Sequence, residues 1–67
     1  MYVEENKVKV NSIWRYKSDA NAHIIIIDIT EGEYTKRKTV YFKYLQFESS
    51  AATRPIETFL HWFTHVQ

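Results

Sequence analysis

The run His23-Ile24-Ile25-Ile26-Ile27-Asp28-Ile29 constrains the fold more than any other part of the chain, because five of its seven positions are isoleucine. β-Branched side chains are stiff at the first torsion and pack well on a pleated surface, so the segment reads as a strand. At a period of two, Ile25, Ile27 and Ile29 share one face, and Ile24 and Ile26 take the other. A strand apolar on both faces is covered on both sides or lies at an oligomer contact. Its apolar run is far shorter than the roughly 20 residues a membrane span needs, so no membrane partner is expected.

Shorter strand signals flank this one. Ile13-Trp14-Arg15-Tyr16 reads as a strand ending in the turn-forming Ser18-Asp19-Ala20-Asn21. Lys38–Leu45 reads as another, with Val40, Phe42 and Tyr44 on one face and Thr39, Tyr41 and Lys43 on the other. Between them lies Thr30-Glu31-Gly32-Glu33, where the single glycine of the chain is expected to supply the positive φ of a hairpin turn. Val8 and Val10 alternate with Lys7 and Lys9, which suits an edge strand guarded by lysines. A loop is expected around Glu48-Ser49-Ser50, and a last short strand over Ala51–Arg54.

At Pro55 the period changes. Proline fits the first turn of a helix, where its missing N–H costs nothing. Ile56, Phe59, Leu60 and Phe63 then fall at i, i+3, i+4 and i+7, with Trp62 and Val66 widening the stripe. The spacing predicts a helix of about ten residues, too short to be stable unless it docks on the sheet.

These elements make one mainly β (α+β) domain over residues 1–67, with residues 1–7 left open to disorder. Its expected architecture is a small antiparallel SH3-like barrel, or a curled sheet of four to five strands, with a C-terminal helix. The chain holds no cysteine, so disulfides and thiolate metal sites are excluded. Its core must come from the 45% hydrophobic residues, among them four Phe, five Tyr and two Trp. A net charge of +1 gives no general pull toward nucleic acid or membrane. The first residues lack the basic start and apolar stretch of a signal peptide, so a cytoplasmic location is expected.

Three segments resemble a class of short bacterial and bacteriophage domains of unknown function with an SH3-like fold. Ile13-Trp14-Arg15-Tyr16-Lys17 is similar to the family's hydrophobic-aromatic-Arg start, and Val40-Tyr41-Phe42 to its central valine-tyrosine strand. Thr53-Arg54-Pro55-Ile56-Glu57-Thr58-Phe59 resembles its closing arginine-proline-aliphatic segment. Two departures stand out: Asn11-Ser12 occupy the place of the family's usual glycine, and Thr30–Thr35 only approximates its acidic, hydroxyl-rich turn. The resemblance implies a fold, a phage or mobile-element origin and a host-cell cytoplasm; it implies no activity.

Catalysis is not expected. One glycine cannot build a phosphate loop, no cysteine nucleophile exists, and Ser12, Ser18, Ser49 and Ser50 lie in apparent turns. A barrel this small is expected to offer little concave volume, and no cofactor is expected. The single metal-like pattern is Glu57, His61 and His65, which spacings of four would stack on one helical face. The plainer reading makes that face the solvent side of the helix. Histidines near a helix C-terminus also complement its dipole when protonated.

The basic cluster Lys36-Arg37-Lys38 follows the Gly32 turn and is flanked by Tyr34 and Tyr41. Cations beside aromatic rings can contact phosphates and stack on bases, with Lys43 extending the patch. Tyrosine and arginine are equally the residues of protein interfaces. A solvated hairpin is the bland alternative, since Glu31 and Glu33 partly neutralise the cluster. Trp14 and Phe42 are read as core, while Tyr34 and Tyr41 are divided evenly between core and interface. Arg54 has two readings: it meets a carboxylate or phosphate on a partner, or, the plainer one, it braces the start of the helix by pairing with Glu57 or a strand carboxylate such as Asp28. The leading functional reading is therefore a phage-type accessory protein, an inhibitor or adaptor, that binds a host or phage protein, with a homodimer open. A nucleic-acid-binding module using Tyr34, Lys36, Arg37, Lys38, Tyr41 and Lys43 is the alternative. A structural subunit of a homo-oligomer is the third reading.

Overall fold

The computed structural model describes residues 5–46 and 50–67. Within them, five strands form one antiparallel sheet: β1 (Ile13–Tyr16), β2 (His23–Glu31), β3 (Lys38–Tyr44), β4 (Ala52–Pro55) and β5 (Phe63–His65). The spatial order is β4-β3-β2-β1-β5, and a helix, α1 (Ile56–Trp62), joins the two outermost strands. That connection carries α1 across a single face of the sheet. The core lies between the two: Trp14, Ile24, Ile26, Val40, Phe42, Ile56, Phe59, Leu60 and Phe63 are buried together. Burying each such side chain contributes about 1.5–3 kcal/mol. The rings interlock, with Trp14 edge-on to Phe59 at 5.0 Å and Phe59 stacked on Phe63 at 4.7 Å.

Strand β2 does not keep the simple alternation its isoleucines suggest. Ile24 pairs with Tyr44 and Ile26 with Phe42, but a bulge follows, so that Asp28 pairs with Tyr41 and Ile29 with Val40. Ile27 is the extra residue. Ile29 therefore joins Ile24 and Ile26 on the core face, which corrects its assignment to the face of Ile25 and Ile27. The cause is Asp28. Unbroken alternation would turn its carboxylate into the core, and an unpaired buried charge costs far more than one irregular pair.

The C-terminal segment also departs from its periodicity. The helix ends at Trp62 and the chain continues as β5, antiparallel to β1, with Phe63 opposite Tyr16 and His65 opposite Trp14. The end of β1 satisfies the last helical carbonyls. The Lys17 backbone N–H donates to the Trp62 carbonyl at 2.9 Å, and its Nζ donates to the Leu60 carbonyl at 3.0 Å. Pro55 stands at the N-cap, closing β4, rather than inside the first turn.

The expected edge strand at Val8 and Val10 is not formed. Glu5–Lys7 make a 3₁₀ turn, Val8 packs on the core, and Val10 is exposed. The chain then bends at Asn11, whose φ of 74° an Asn side chain tolerates. The edge of β1 is left for β5. Of the loop expected around Glu48-Ser49-Ser50, the first two residues lie outside the described ones, as do residues 1–4.

Candidate functional site

The turn joining β2 to β3 is built from Gly32 to Arg37. The Gly32 N–H donates to the Arg37 carbonyl at 2.9 Å, and the Lys36 N–H donates to the Gly32 carbonyl at 3.2 Å. Thr35 Oγ1 accepts from the Arg37 N–H at 3.3 Å. The left-handed residue is Lys36, with φ 58°, while Gly32 has no positive φ. The expected role of the glycine is thus corrected. What Gly32 supplies is space, because a Cβ there would stand 2.8 Å from Thr35 Oγ1.

On this braced turn Tyr34 is 94% exposed, and Lys36, Arg37 and Lys38 are exposed beside it. Lys38 is paired across the strands with Glu31. Tyr41 and Lys43 lie elsewhere, on the sheet face opposite α1, where Tyr41 is half-buried opposite Asp28 and Lys43 is exposed opposite Ile25. The structure therefore divides the six candidate residues into a hairpin-tip group of four and a sheet-face pair.

Glu57, His61 and His65 are not brought together. Glu57 and His61 lie on α1, but His65 is on β5, its ring edge-on to Trp14 at 5.1 Å. The helix ends three residues before His65, so the spacing of four has no common face to act on. Among the described residues no group of three or more His, Asp or Glu side chains is placed to hold a metal ion.

Trp14 and Phe42 are core residues, as expected. Tyr16 and Tyr44 join hydroxyls at 2.9 Å along the rim. That hydrogen bond, helped by burial, raises the Tyr44 phenol above its usual 10.0. Arg54 places its guanidinium carbon 5.5 Å from the Trp62 ring centroid, at the end of the helix and not at the start it was expected to brace. A shallow, open surface depression lies beside Trp62, lined by Tyr16, Lys17, Ser18 and His61. Among the described residues no helix is long and apolar enough to cross a membrane.

No family model matches the chain, and neither a curated protein nor a solved structure does.

Proposed function

We propose that the chain is a small binding module that recognises another protein through the tip of the β2–β3 hairpin. The observation that carries this reading is Tyr34: a large aromatic side chain 94% exposed on a turn held by backbone and Thr35 hydrogen bonds. Nothing in the fold needs that ring. A tyrosine presented beside Lys36 and Arg37 suits a partner with a ring-sized pocket and a carboxylate rim, since Tyr and Arg carry interface hot spots. The preformed turn also lowers the ordering cost of binding.

The same tip supports a second reading, single-stranded nucleic acid stacked on Tyr34 with phosphates on Lys36, Arg37 and Lys38. Glu31 and Glu33 stand against it, because they neutralise the phosphate-facing charge. The similarity to bacteriophage domains supports an accessory role of the phage type in a host cytoplasm. Five antiparallel strands in one sheet suit an SH3-like form of the domain, whose closure would bring together β4 and β5, the two ends of the strand order.

Affinity capture with the wild type, Tyr34→Ala and the Lys36/Arg37/Lys38 triple-alanine variant tests the proposal. We expect a partner protein retained by the wild type and lost by Tyr34→Ala, whose thermal unfolding stays unchanged. Identical captures by wild type and Tyr34→Ala would overturn the proposal. Saturable binding of single-stranded nucleic acid, weakening steeply with salt, would put the second reading in its place.

A further inference from the structure

Trp62 lies in the last turn of α1 and is 40% exposed, on a helix whose other large apolar side chains, Ile56, Phe59 and Leu60, are buried. Its ring borders the shallow depression formed with Tyr16, Lys17, Ser18 and His61. So open a depression cannot enclose a small molecule, of which a ligand pocket buries roughly 70–90%. It can seat one side chain of a larger partner.

Contacts from the rest of the fold hold its walls. Tyr16 packs on Phe63 with ring centroids 4.4 Å apart, and its hydroxyl is hydrogen-bonded to that of Tyr44 at 2.9 Å. Arg54 lies over the Trp62 ring at 5.5 Å without lining the depression. Lys17 is anchored by the Leu60 carbonyl, which takes one of the three donors of its ammonium. Two aromatic rings thus stand beside a lysine and an imidazole, and no carboxylate lines the site. That set complements an apolar side chain with a carboxylate next to it: the apolar chain rests on the rings, and the carboxylate meets Lys17 and His61.

A phosphodiester chain fits less well. Asp19 follows Ser18 directly, and Glu57 stands one helical turn before His61; both are exposed. Phosphates running past the depression would meet those carboxylates, whereas a single side chain with its acidic neighbour need not extend so far.

We propose that this depression is a second protein-recognition site, which takes an acidic segment of a partner carrying a leucine-sized apolar side chain between carboxylates. It is separate from the hairpin tip, because the nine residues of β2 run from the turn after Lys17 to the Gly32 turn and so set the two at opposite ends of the sheet.

Intrinsic fluorescence reads the site directly, since the chain has two tryptophans and Trp14 is fully buried. The probe is a blocked peptide with a single leucine between pairs of glutamates. It should shift the emission to the blue and saturate with a Kd of about 1 mM or tighter. Replacing its leucine with alanine, or its glutamates with glutamines, should weaken binding at least about fivefold. Lys17→Gln keeps a donor for the Leu60 carbonyl but removes the charge, and should weaken binding at least about threefold, with circular dichroism confirming the fold. Tyr34→Ala should bind the peptide as the wild type does, so this result is independent of the capture that tests the hairpin. No emission change up to about 5 mM peptide overturns the proposal. So does equal affinity for the glutamine peptide, or an unchanged affinity in folded Lys17→Gln. A short oligothymidylate that quenches Trp62 where the peptide has no effect assigns the depression to nucleic acid instead.

Discussion

Ile26 and Asp28, two residues apart on one strand, face opposite sides of the sheet: Ile26 is fully buried opposite Phe42, and Asp28 is exposed opposite Tyr41. Residues i and i+2 of a regular strand point the same way, so the bulge at Ile27 is what separates them. Asp28 then bonds locally, its Oδ1 accepting the Ile29 N–H at 2.8 Å.

A deletion tests this directly. Removing Ile27 leaves Ile26, Asp28 and Ile29 opposite their present partners in an unbroken ladder. The variant should fold with a loss of no more than about 2 kcal/mol in urea denaturation. Removing Ile25 instead shifts Ile24 off the core face and should cost more than about 4 kcal/mol, most or all of the stability of a domain this size.

Trp14 is fully buried, and its indole N–H donates to Ser12 Oγ at 2.9 Å. Ser12 in turn donates to the Lys9 carbonyl at 2.5 Å. Ser12→Ala strands that indole donor and should cost about 1–3 kcal/mol, read as a lower denaturation midpoint with unchanged m-value.

Lys36 holds a φ of 58° that only glycine adopts freely. Lys36→Gly should leave thermal stability equal or slightly higher, the relieved strain offsetting the added freedom of the unfolded chain. Lys36→Val, β-branched at the same φ, should lower it by about 1–3 kcal/mol. Equal effects from the two would contradict the left-handed turn.

The Tyr44 phenol is raised above 10.0, first by its hydrogen bond to Tyr16 and then by burial. A raised phenol means that the folded state holds its proton more tightly than the unfolded state. The resulting stability is fully present below pH 10 and is lost as pH rises through the folded-state value. Absorbance titration should show a phenol ionising later than an ordinary tyrosine, and Tyr16→Phe should bring it back toward 10.0.

Arg54 stands over Trp62 at the helix end, an exposed cation–π contact worth about 0.5–1 kcal/mol. Arg54→Ala should lose that much and change tryptophan emission, whereas Glu57→Ala should leave both unchanged.

Much of this fold was legible in the sequence, for a local reason. The strands at Ile13–Tyr16 and Lys38–Tyr44, and the faces of Val40 and Phe42, follow from period-two patterning that each segment carries by itself. Ile56, Phe59, Leu60 and Phe63 are buried as their spacing implied, yet Phe63 reaches the core from a strand. The stripe specifies which side chains go inside, not which backbone conformation delivers them. Of the candidate site, the exposed tip was legible from Gly32 and the charges beyond it. The separation of Tyr41 and Lys43 from Tyr34 was not.

By itself, then, the sequence determined a small aromatic core, a two-faced isoleucine strand and a hairpin carrying cations. Tertiary structure alone decided the bulge, the conversion of the last residues from helix to β5, and which face of the sheet α1 covers. The physical reason is common to all three. Each depends on a partner distant in sequence: the Tyr41 side of the ladder, the free edge of β1 with Lys17 capping the helix, and α1 covering only one face. No local periodicity records which distant surface will satisfy a backbone hydrogen bond or exclude a carboxylate from the core.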